Sequence, residues 1–168
     1  MAFEYYNIED NIVAKLVADF NISSLNVDVV PQPEDEADLI KGINKPRVTV
    51  SFVESNAERL KSTNEHAFEE DITMVINIQW KALRGTSGCH TLASLIKKFI
   101  IGFKPADCGR MYFKNYRGGN PVRNPDDKLW YWELEFGVKK MMVQELDDSE
   151  PDGELLEEII INEEIGCN

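Results

Sequence analysis

The chain has 168 residues, of which 43% are hydrophobic and 29% charged. That balance excludes wholesale disorder and suits one domain, which at this size hides about 68–70% of its unfolded surface. Its net charge of −12 is uneven, because ten carboxylates follow Gln144 without a single Lys or Arg, while residues 1–144 hold 20 acidic and 18 basic side chains; such a tail repels phosphate backbones and anionic membranes, so bulk charge excludes a nucleic-acid or membrane coat.

In chain order, Ile8, Ile12, Val13, Leu16, Val17 and Phe20 recur at helical spacing, which predicts a one-faced helix with Asn7 as its cap. A short strand over Asn26 to Val30 follows, closed by Pro31 and Pro33, and an acidic connector runs to Gly42. Val48, Val50 and Phe52 alternate with polar neighbours, as do Ile72, Met74, Ile76, Ile78 and Trp80. Both runs read as strands with one apolar face, joined as a hairpin by a polar loop from Glu54 to Ala67 with a helical turn around Ala57 to Leu60. After a small-residue turn at Arg84 to Gly88, the stripe Leu92, Leu95, Ile96, Phe99, Ile100 and Phe103 predicts a second helix, ended by Gly102 and Pro105. Met111 to Tyr116 reads as a strand and Arg117 to Asp127 as a Gly/Pro loop. Lys128 to Val143 then forms a long strand with Trp130, Trp132, Leu134, Phe136 and Val138 on one side. The expected fold is α+β: a two-layer sandwich whose mainly antiparallel sheet is covered on one face by two helices. Residues 1–144 form that domain, and 145–168 an acidic C-terminal extension.

Chemical motifs are sparse. Cys89-His90 opens the second helix, where a helix N-terminus can lower a thiol's pKa, but adjacent residues make no nucleophile and base pair, and a structural cysteine is the stronger reading. Two histidines and three scattered cysteines lack zinc-type spacing, so no metal and no cofactor are expected. The odd, widely spaced cysteines suit a reducing cytosol, and neither an export signal nor a run of ~18 apolar residues is visible. Glu69-Glu70-Asp71 and Asp126-Asp127 read as solvated charge guarding strand ends. Arg110, Lys114, Arg117, Arg123 and Lys128 concentrate positive charge around the last hairpin among Tyr112, Tyr116 and Trp130. That pattern fits a stacking nucleic-acid groove or, better for an acidic chain, a patch that meets an acidic protein partner. In the extension, Leu155, Leu156, Ile159 and Ile160 form apolar pairs four apart beside a β-branched run, which favours docking on a neighbour as a short helix or an added strand over a flexible, solubilising acidic tail.

The order from Trp80 to Gln144 resembles the tail terminator (tail completion) proteins of Mu-like contractile-tailed phages. The resemblance rests on Leu83-Arg84-Gly85, the turn and apolar helix, Gly102-Phe103-Lys104-Pro105 with Cys108-Gly109, and the strand around Trp130-Tyr131-Trp132-Glu133-Leu134-Glu135-Phe136. The first helix fits too, and the extension has no counterpart in it. What the resemblance implies is a non-enzymatic virion protein, assembled in the host cytoplasm and placed at the tail–neck junction. It would form a hexameric ring that caps the tail tube, stops its polymerisation and offers a docking face to the neck. Implied partners are copies of itself, the tail tube protein, a neck or head-completion protein and, as a further candidate, the sheath. No membrane is involved, and DNA passes through the lumen without specific binding. Candidate contacts are the basic residues of the two loops: Arg59 and Lys61 in the first, and Arg110, Lys114, Arg117, Arg123 and Lys128 around the second. Two alternatives stay open: another neck or tail-completion component, and a small enzyme or nucleic-acid-binding module using Cys89 and His90 or the basic hairpin.

Overall fold

The structure, a computed structural model, describes residues 5–33, 43–59, 67–124 and 127–143. Helix α1 spans Tyr5–Ile22 and is followed by β1 (Asp28–Pro31), β2 (Arg47–Arg59) and β3 (Ala67–Trp80). Helix α2 (Cys89–Ile100) precedes β4 (Tyr112–Asn124) and β5 (Asp127–Val143). The five strands form one sheet in the order β1-β2-β3-β5-β4, antiparallel except for the parallel β1–β2 pair. This is the expected α+β sandwich.

Alternation decides the layers. Val48 and Val50 of β2, Ile72, Met74, Ile76 and Ile78 of β3, and Leu134, Phe136 and Val138 of β5 all turn to one face and are buried. Onto them pack Ile8, Ile12, Leu16 and Phe20 of α1, one per turn, and Leu92, Ile96 and Ile100 of α2. Burying each such side chain stabilises by roughly 1.5–3 kcal/mol, far more than intrinsic helix propensity supplies. The helices meet where Phe20 and Phe99 pack edge to face, centroids 5.5 Å apart. Trp130 and Trp132 lie on the same side, half-buried against this core. Among the described residues no helix is long and apolar enough to cross a membrane.

Several local expectations are corrected. Helix α1 is already helical at Tyr5, so Asn7 lies in its first turn rather than at its cap. The first loop is much shorter than expected: β2 continues to Arg59, paired with Phe68, and no helical turn forms at residues 57–59. The segment read as a Gly/Pro loop is strand as far as Asn124, which pairs with Asp127. Pro121 is tolerated there because β4 is an edge strand, and bulges at Phe113/Asn115 and Gly118/Asn120 take up the irregular residues. The result is two long hairpins projecting from opposite ends of the sheet. The extension after Gln144 and Lys61 lie outside the described residues.

Candidate assembly surface

Among the described residues the second face of the sheet carries no helix, and it is largely polar. Cross-strand register lines up Thr49, Asn77, Glu133 and Arg117 in one row, and Ser51, Val75, Glu135 and Asn115 in the next. Together with Gln32, Val53, Glu54, Thr73 and Tyr131, several of these line a shallow depression in that face. Asn77 in its lining is only 8% exposed, and on the same face Thr49 (1%) and Gln79 (6%) are buried as well, although among the described residues no second layer covers them. Thr49 Oγ1, Asn77 Oδ1 and Gln79 Oε1 are all buried, and none meets a hydrogen-bond partner among the described residues. Buried polar atoms are normally paired, and leaving one unpaired costs about 1–3 kcal/mol. Around them Arg117 Nη2 pairs with Glu135 at 3.0 Å, while burial and the neighbouring Glu133 push the Tyr131 phenol up.

Towards the other end of the face, three carboxylates read as solvated charge prove to be engaged. Tyr112 donates to both oxygens of Asp71 at 2.7 Å, and Lys114 reaches Asp71 at 3.1 Å and Thr73 Oγ1 at 2.9 Å. Lys139 pairs with Glu69. Glu70 turns to the helix side, is buried, and accepts the Tyr5 hydroxyl at 2.6 Å. Tyr112 and Lys114 cross β5 only because residue 137 is glycine, where a Cβ would overlap Tyr112 Cζ and Lys114 Cε. Burial and the Asp71 carboxylate push the Tyr112 phenol up to about 12.

Among the described side chains, the basic residues around the last hairpin are split between two places. Lys114 and Arg117 lie on the open face, each held by a carboxylate of the chain. Arg110 lies on the exposed loop after α2, its Nη1 donating to Gly102 O at 3.1 Å. Arg123 and Lys128 are cross-strand partners at the hairpin end, and Arg59 is the last residue of β2. Lys61, Leu155, Leu156, Ile159 and Ile160 lie outside the described residues. Of the aromatics expected among the cations, Tyr112 lies under the Lys114 ammonium, which stands 5.8 Å from the ring centroid, while Tyr116 is engaged elsewhere. Tyr116 stacks on Trp132 at 5.0 Å, and the Lys97 ammonium sits over Phe113 and Tyr116 at 4.4 and 4.6 Å. Trp132 also fills the space that a Cβ on Gly118 would need.

Cys89 is buried at the start of α2, with Trp80 O 3.9 Å from its sulfur. Burial pushes its thiol up to about 11, the reverse of thiolate activation. His90 is exposed, its ring edge-on to Trp132 at 4.8 Å. No group of His, Cys, Asp and Glu suited to a metal ion occurs among the described residues. The open-face acceptors were missed in the sequence because Thr, Asn and Gln at alternate strand positions look like ordinary solvent-facing residues; only cross-strand register buries them together.

Fold and surface together define a small sandwich with one finished face and one face built of buried acceptors. The chain belongs to the family described as Gp37 protein, which matches residues 12–164 and so takes in most of the acidic extension. No curated protein matches it. Among solved structures it is similar to a chain from the virion of a native gene transfer agent particle, at 13% identity and a TM-score of 0.47, over 80% of this chain and 94% of that one.

Proposed function

We propose that this protein is a structural component of a phage-type virion, a tail terminator. It forms a hexameric ring at the tail–neck junction, caps the tail tube, halts its polymerisation and presents the opposite annular face to the neck. The observation that carries an assembly role is the open sheet face, a polar surface with a carboxylate-rimmed depression that no helix covers among the described residues. Such a face, with Glu54, Glu133 and Glu135 around its depression, suits covering by another protein surface of opposite charge, and an assembly protein meets one. The resemblance of Trp80 to Gln144 to the Mu-like terminators supports the particular role. A cap must close on itself through heterologous contacts and must differ on its two annular faces. A two-layer sandwich with unlike sides and a long hairpin at each end has the parts for that. The protonated, buried Cys89 supports this reading over a thiol enzyme.

Adding the protein to polymerising tail-tube subunits tests it. Tubes should stop at shorter, narrowly distributed lengths with density for the protein at one end by electron microscopy. Tubes of unchanged length that bind it elsewhere would instead make it another neck or tail-completion component.

A further inference from the structure

The loop that follows α2 is the electrostatic opposite of the open face. Residues 97–110 carry Lys97, Lys98, Lys104 and Arg110 against one acid, Asp107. Lys98, Lys104 and Arg110 are exposed and form no ion pair among the described residues. Beside them Ile101 is 53% exposed. The carbonyl end of α2 itself favours Lys97 and Lys98 in its last turn, whereas Lys104 and Arg110 lie beyond the helix. The depression on the open face has the reverse character. Glu54, Glu133 and Glu135 line it with Arg117 as the one cation of the lining, with Asn77 beside them and Val53 exposed at the rim.

The two surfaces are separate places on the chain: Lys104 lines a second depression with Glu69, Asp107, Lys139 and Met141, which shares no residue with the one at Glu54, Glu133 and Asn77. We infer that the open sheet face, at Glu54, Glu133 and Asn77, receives the Lys98, Lys104 and Arg110 surface of a second copy. The contact is head to tail and repeats around the ring, so this inference rests on the terminator reading and assigns the faces that ring would use. Ammonium and guanidinium groups of one copy would meet the accessible Glu54 and Glu133 carboxylates of the next, and charge-assisted bonds are about twice as strong as neutral ones. A contact between unlike surfaces leaves one of each free at every step, the condition for closing into a ring rather than stopping at a two-fold dimer.

Charge exchange on the full chain tests it. One variant combines Glu54→Lys with Glu133→Lys, and the other combines Lys98→Glu, Lys104→Glu and Arg110→Glu, each checked for native circular dichroism. Alone, each should lose roughly tenfold or more in self-association, both in concentrated solution and on tube ends. Mixed one to one they should recover it, because native and exchanged contacts can alternate around a ring of even number. On the wild-type protein, carbodiimide should join Glu54 or Glu133 of one copy to Lys98 or Lys104 of another, read by mass spectrometry of mixed isotopic labels.

Single variants that associate like the wild type, or a mixture no better than either alone, would overturn the inference. So would cross-links from Lys98 and Lys104 to the carboxylates after Gln144 of the same chain, which would make the extension the occupant. A wild-type protein that shortens tubes while the mixture fails removes the inference and leaves the terminator reading. One that associates through these faces without changing tube length removes the terminator reading alone, and one that associates in neither setting removes both.

Discussion

Single side chains carry much of the open face, and Gly137 is the clearest case. Its missing Cβ lets Tyr112 and Lys114 pass over β5 to Asp71 and Thr73, tying β4 to β3 across an intervening strand. Gly137→Ala should displace both side chains and lower stability by about 1–3 kcal/mol in urea unfolding, the usual cost of overpacking. Tyr112 gives the same strap a pH signature. Its phenol, raised from 10.0 to about 12 by burial and by Asp71, keeps its proton in the folded chain where an unfolded tyrosine has lost it. The stabilisation is therefore whole below pH 10 and fades as pH rises towards 12. Tyr112→Phe should flatten that decline in urea midpoints measured from pH 9 to 12. A residual slope remains in the variant, since Tyr5, Tyr116 and Tyr131 are raised as well. None of this was legible in the sequence. Gly137 read as one small residue in an alternating strand, and Asp71 as a solvated charge, because the strap depends on which strands are neighbours and on a bulge at Lys114 that brings Tyr112 and Lys114 to one side.

At the scale of elements, the helices and strand cores were legible because burial writes itself as periodicity. Ile8, Ile12, Leu16 and Phe20 mark α1, and the alternation of β3 and β5 marks the face they cover. Leu16→Ala, at the middle of that seam and fully buried, should cost about 2–5 kcal/mol by the same denaturation measurement. Strand ends were not legible. Beyond Phe52 and Tyr116 the hairpins leave the core and so lose the alternation that announces a strand; backbone pairing alone carries β2 to Arg59 and β4 to Asn124. Glycine and proline at 118–121 were read as loop, whereas an edge strand absorbs both through a bulge and a missing donor. The edge of β2 is handled with equal economy. Where β1 ends, with Gln32 N–H on Val50 O, the next free amide, Phe52 N–H, is taken by Glu9 of α1 at 2.6 Å.

For the whole molecule, the sheet and both helix seams are complete by Val143, which pairs with Ala67. A chain ending at Gln144 should therefore fold, keeping its helix and strand content by circular dichroism and its stability within roughly 0.5 kcal/mol. Removing the ten carboxylates beyond that point leaves a body of 20 acidic and 18 basic residues. Its solubility near neutral pH should fall measurably in precipitation assays, because net charge near zero favours association. The acidic end is a feature of the sequence alone, while the unlike characters of the two layers emerged only from register. The central β3–β5 seam also has a kinetic meaning. β2 with β3 and β4 with β5 are local hairpins, but the seam between them joins Ala67 to Val143 and Trp80 to Trp130, with all of α2 and β4 lying in between. Closing it costs loop entropy before any core is gained. Folding should then proceed as the docking of two preformed halves, with the refolding rate governed by residues along that central seam such as Ile76 and Leu134.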